Sequence, residues 1–121
     1  MHHLLSEREK NKAPETSTAK GSLSCIIPGK LIAAFLIDGT SYTYNMTINP
    51  VVRGFKSDPA TLTYEDLNQL DFNRSHNGKI GPGAYKIQLD NGVVIEGDLE
   101  FPGLDVEFPV VVEGTGAWEV K

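Results

Sequence analysis

Residues 30–48 carry the clearest alternation in the chain. Two arms, KLIAAFLI and TSYTYNMTI, flank Asp38-Gly39. In the second arm Tyr42, Tyr44, Met46 and Ile48 interleave with Ser41, Thr43, Asn45 and Thr47, the period of a strand with one buried face. Asp-Gly between two such arms predicts a hairpin, because a tight primed turn needs positive φ and glycine supplies it without strain. The first arm is apolar at both phases, which predicts a central strand covered on both sides.

The rest of the chain falls into short pieces of the same kind. A strand over 22–27 ends at Pro28-Gly29, a short strand over 51–55 contains Gly54, and 56–59 reads as a loop. Thr63 with Asp66 three residues on, bracketed by Leu62 and Leu67, has the pattern of a capped helix start with a hydrophobic staple. It predicts about two helical turns to Phe72 that dock through Leu67 and Leu70. NRSHNGKIGPG, residues 73–83, reads as a loop by composition. Tyr85, Ile87 and Leu89 predict the next strand, and Asp90-Asn91-Gly92 a second hairpin turn. Beyond it Val93, Ile95, Gly97, Leu99 and Phe101 form one face of a strand, and Val94, Glu96, Asp98 and Glu100 the other. After Pro102-Gly103, Val106, Phe108, Val110 and Val112 face inward and Glu107 and Glu113 outward, with a last strand over 117–120 that carries Trp118. The count is eight strands and one helix. Short strands punctuated by turns predict a sandwich or a barrel, and closure into a barrel removes exposed edges. IDGTSYTYNM and LDNGVVIEGD resemble each other as hairpins.

Composition narrows the function classes. The chain has 121 residues, one domain by length. Residues 1–20 contain Leu4 and Leu5 as their only large aliphatic side chains and are otherwise mostly polar and charged. This predicts a disordered N-terminal tail and a barrel domain over 21–121. A net charge of −5 and a pI near 5.1 argue against a nucleic-acid partner that binds through phosphates. No run of eighteen apolar residues predicts a transmembrane span, and the first residues lack the apolar core of a signal peptide. The single cysteine, Cys25, excludes an internal disulfide and sits in an apolar strand, where an inert buried thiol is expected.

Three clusters are candidates for chemistry. Glu96, Asp98, Glu100, Glu107 and Glu113 form one acidic outer patch if their two strands are neighbours. Crowded carboxylates raise one another's pKa, so such a patch predicts membrane association that strengthens from about pH 7 to about pH 5. Its plain alternative is a face kept soluble by charge. Arg74, His76 and Lys79 in a glycine-rich segment have the ingredients of an anion site but match no phosphate-loop spacing, and an ordinary surface loop is the reading. Tyr42, Tyr44, Tyr85 and Trp118 either line a ligand cavity or fill the core, and the size of the inward set favours filling. No metal ligand set, no cofactor motif and no Ser-His-Asp set is present in the pattern. Asn45-Met46-Thr47 and Asn73-Arg74-Ser75 match the N-glycosylation tripeptide, as chance matches would.

FLIDGTSYTYNM, TYEDLNQL and the closing EGTGAW, in this order, resemble the virulence-associated (Vap) protein family of actinobacterial pathogens over residues 22–120. The resemblance implies an eight-stranded antiparallel Greek-key barrel with one short helix. It also implies secretion, a mobile N-terminal segment, no enzymatic activity and no catalytic residues. The expectation is a non-enzymatic monomer without cofactors, acting through its surface at a host membrane or a host protein. The alternatives are a barrel that binds a small molecule in an interior cavity or, further off, a pocket-type cyclase.

Overall fold

Eight antiparallel strands close into a barrel in the computed structural model, which describes residues 16–50, 56–99 and 109–121. The strands are β1 (Ser17–Ile27), β2 (Lys30–Ile37), β3 (Thr40–Thr47), β4 (Lys56–Tyr64), β5 (Asn73–Ile80), β6 (Ala84–Leu89), β7 (Val94–Asp98) and β8 (Val110–Val120). Around the barrel they run β1-β2-β3-β8-β5-β6-β7-β4. β1, β2 and β3 are joined by hairpins and β4 returns to lie beside β1; β5, β6 and β7 repeat this, with β8 returning beside β5. Each half is therefore a Greek key, and the two halves meet at the β3–β8 and β4–β7 seams. The turns at Asp38-Gly39 and Asp90-Asn91-Gly92 hold equivalent places in the two keys.

The all-β barrel is the predicted architecture, but its strands are not all the predicted ones. β4 occupies the predicted loop at 56–59 and the start of the predicted helix. Ala60 and Leu62 point inward with Thr61 and Thr63 between them, a period of two that Asp58-Pro59 obscures in the sequence. Pro59 is tolerated because the β1–β4 register shifts between Gly21 and Leu23, beside it. What remains of the helix is a single 3-10 turn, Leu67–Gln69, capped by Asp66 rather than Thr63. Leu70 is fully buried, whereas Leu67 is exposed. The predicted loop at 73–83 is mostly strand β5. Residues 113–116 continue the strand, so the predicted strand ending at Val112 and the last strand over 117–120 are one strand, β8. β1 starts at Ser17 and pairs Lys20 with Thr61, so the barrel begins ahead of the predicted boundary at residue 20. β2 is not covered on both sides: Leu31, Ala33 and Phe35 point inward, while Leu36 is 67% exposed on the outer face. The strand expected over 51–55 and the positions of Phe101, Val106 and Phe108 lie outside the described residues.

The 3-10 turn leads into Leu70, which is buried in the core. Gln69 and Asn91 clamp the 3-10 turn to the β6–β7 turn: each side-chain amide donates to the other's backbone carbonyl at 3.0 Å. The interior is one cluster that includes Leu23, Leu31, Phe35, Tyr44, Leu62, Ile87, Ile95 and Trp118.

β8 shows how that interior is accommodated. Its inward positions are Val112, Gly114, Gly116 and Trp118, with Thr115 exposed between the glycines. A Cβ at Gly116 would stand 2.5 Å from Cζ of Tyr44 and 2.7 Å from the Asn45 carbonyl oxygen. A Cβ at Gly114 would meet the Thr47 carbonyl and come within 3.1 Å of His76 Nε2. Glycine inside a strand here marks close approach of neighbouring groups, not a turn. Gly116→Ala should therefore cost about 1–3 kcal/mol of stability in urea unfolding, the range for overpacking. Thr115→Ala, on the outer face, should stay within about 0.5 kcal/mol of the parent.

Candidate functional site

Tyr44 on β3 and His76 on β5 reach into the barrel from the two strands that flank β8. Tyr44 is fully buried and His76 is 4% exposed. His76 Nε2 lies 2.8 Å from the Thr47 carbonyl oxygen, and Nδ1 lies 2.8 Å from Tyr44 Oη. A carbonyl only accepts, so Nε2 carries the proton and Nδ1 accepts from the Tyr44 hydroxyl. The Tyr44 and His76 rings meet edge-on at 5.6 Å, and the Trp118 ring packs tilted against Tyr44 at 4.9 Å. Burial holds the His76 pKa below its ordinary value, against the opposing pull of the Thr47 hydrogen bond. Burial, with the charge of Asp90, holds the Tyr44 phenol far above its own, against a smaller opposing effect of Arg74. Both groups are thus neutral and mutually satisfied near neutral pH.

The four aromatic candidates do not share one cavity. Tyr44 and Trp118 fill the core, and Tyr42 packs half-buried against it. Tyr85 stands at the β4–β7 seam, where a Cβ on Gly97 would come 2.9 Å from its hydroxyl. Burial pushes its phenol up to about 12, the Ser57 hydrogen bond opposes that, and the charges of Asp98 and Glu96 add to it. The anion-site residues are also dispersed. His76 is inside and Lys79 outside, while the Arg74 guanidinium lies 3.3 Å from Asp71 and 3.7 Å from Asp90.

Among the described residues, the acidic candidates Glu96, Asp98 and Glu113 do not form a single patch. β7 pairs with β6 and β4, β8 with β3 and β5. Glu96 and Asp98 are therefore separated from Glu113, and Glu96 sits opposite Lys86. Glu100 and Glu107 lie outside the described residues. Acid-strengthened membrane association loses its geometric basis at these positions. Among the described residues no three His, Cys, Asp or Glu side chains converge as a metal site, and no helix is long and apolar enough to cross a membrane.

The sequence pattern does not single out the groove that the barrel forms on the outer face of β3, β8 and β5. It measures about 580 Å³ and is lined by Asn45, Asn73, Arg74, Ser75, Asp90, Thr115, Gly116 and Ala117. Its shape follows from the ladder: Ala117 pairs with Asn45 on one side and Asn73 on the other, so a short side chain lies between two longer ones. Asp90 Oδ2 accepts from the Ser75 N–H at 3.1 Å and from its hydroxyl at 3.2 Å. Asn45 Nδ2 donates to Glu119 at 3.2 Å. The only sequence signal here is that Asn45 and Asn73 each open an Asn-x-Ser/Thr tripeptide; the strand order brings the two together.

Comparison with protein-family models, with curated proteins and with solved structures gives no match for this chain.

Two outcomes follow from the buried pair. Tyr44→Phe leaves His76 Nδ1 without its donor inside the barrel, and should lower unfolding free energy by about 1–3 kcal/mol. His76 also links stability to pH. Its folded pKa lies below the unfolded value of about 6.5, so as pH falls past that value the unfolded chain takes up a proton that the native state refuses. The stability this contributes is present above about pH 6.5 and is lost as pH falls toward the folded pKa. Urea midpoints between pH 7.5 and pH 5 should fall in the parent and fall less steeply in His76→Gln.

Proposed function

We propose that this protein is a non-enzymatic binding barrel that acts through its outer surface. The observation that carries this reading is the state of the interior. Tyr44 and His76 occupy the space under the β8 glycines, Trp118 packs against Tyr44, and both nitrogens of the buried imidazole are engaged. A general acid or base needs a protonation site open to substrate, and His76 offers none. An eight-stranded barrel has an interior only just wide enough for side chains, and here large ones fill it. Chemistry and carriage inside the barrel are both disfavoured, which leaves the outer face as the working surface. The resemblance to the virulence-associated (Vap) family points the same way: a secreted protein that engages a partner at a host membrane or on a host protein. The eight-stranded Greek-key barrel is the fold that resemblance implies.

Trp118 supplies the test, because the only tryptophan of the chain stands inside the barrel against Tyr44. Titration with fatty acids, retinoids and other lipophilic ligands should leave its fluorescence unchanged. Saturable quenching by any of them would show an interior that opens to ligands and would replace this reading with that of a small-molecule carrier.

A further inference from the structure

Phe72 combines two costs at one position. Its φ is +59°, in the left-handed region that a bulky aromatic residue enters only under strain. Its side chain is also 75% exposed. The backbone N–H of Trp118 donates to the Phe72 carbonyl at 3.1 Å, and the Trp118 side chain is buried in the core. Glycine would hold this backbone without strain and without presenting an apolar ring to water. Single exposed apolar residues are common, so exposure alone means little. The location is what matters: the next residue, Asn73, lines the outer groove, and so does Ala117, the neighbour of Trp118. Strained backbone tends to persist where it serves a site.

We propose that Phe72 and this groove form a binding site for neutral saccharides, a pyranose unit or a short glycan chain. This deepens the surface-binding reading above, on which it rests, by naming the class of partner. A pyranose presents a face of C–H groups and a rim of hydroxyls that both donate and accept. The C–H face matches the electron-rich face of an aromatic ring. The hydroxyl rim matches side-chain amides, which donate and accept, together with hydroxyls and a carboxylate. The groove offers this set in Asn45, Asn73, Ser75, Thr115 and Asp90, and the exposed Phe72 directly precedes Asn73 in the chain. Asp90 is held in place by Ser75, with Arg74 3.7 Å from its other oxygen, so little ordering remains to be done on binding. The same contacts disfavour an anionic ligand: no lysine lines the groove, and the Arg74 guanidinium is engaged with Asp71 and Asp90. A volume of about 580 Å³ lies within the range of small-molecule sites.

The experiment uses the full chain made in a host that does not N-glycosylate, which leaves Asn45 and Asn73 unmodified. A microarray of neutral and charged glycans is followed by calorimetry on the sugars retained, for the parent, Phe72→Gly and Asn73→Ala. The parent should retain neutral glycans. Phe72→Gly should melt at the parent temperature or above it, because glycine suits the positive φ, and should bind about tenfold more weakly. Asn73→Ala should also weaken binding, at an unchanged melting temperature. A blank array, or glycan affinity untouched by Phe72→Gly, overturns the proposal. A lower melting temperature for Phe72→Gly overturns it too, because the ring would then serve packing. A blank array together with Phe72-dependent capture by phosphatidylcholine vesicles overturns the saccharide assignment and leaves the surface reading standing. Quenching of Trp118 by lipophilic ligands overturns the surface reading itself, independently of the sugar assay.

Discussion

Close packing at the β3–β8–β5 junction governs this barrel. Eight strands enclose a fixed and narrow interior, and on one side of it Tyr44 and His76 need more room than a strand with side chains at every inward position would leave. Gly114 and Gly116 provide that room. The tyrosine hydroxyl then reaches the imidazole, the imidazole reaches the Thr47 carbonyl, and each buried polar atom in that chain finds a partner, as burial requires. Both rings are neutral as a result, so His76 acts as a structural group that resists protonation.

The same junction shapes the outside. β3 and β8 are where the two Greek keys meet, so residues from opposite halves of the chain become neighbours there. The alternation that points Gly114, Gly116 and Trp118 inward points Thr115 and Ala117 outward. Short outward side chains between Asn45, Asn73 and Ser75 leave a shallow polar groove. Where β5 begins beside that groove, Trp118 is buried within and Phe72 stands outside in a strained conformation. Filled interior and structured exterior are thus two consequences of one strand's sequence, and together they favour recognition at the surface over chemistry inside.

The sequence by itself determined the architecture in outline. Alternation in residues 41–48 and 84–89, with Asp-Gly and Asp-Asn-Gly between strands, reflects forces local to a few residues: pleat, turn geometry and one apolar face. Those positions read correctly, and Tyr44, Met46, Ile87 and Ile95 are core in the structure as in the pattern. β5 was not legible because its inward positions, Arg74, His76, Gly78 and Ile80, carry almost no apolar signal. That stretch of interior is filled from β3 and β8, which local sequence does not reveal. The capped helix was misplaced for the converse reason: a strand at 60–64 and a capping box at 66–69 overlap in sequence, and barrel pairing decided in favour of the strand. Only the tertiary structure decided which residues share a surface. Strand order separated Glu96 and Asp98 from Glu113, turned His76 away from Lys79, and joined Asn45 to Asn73 across Ala117, because neighbours in a Greek-key barrel are set by how the keys close, and closure depends on pairings far apart in the chain.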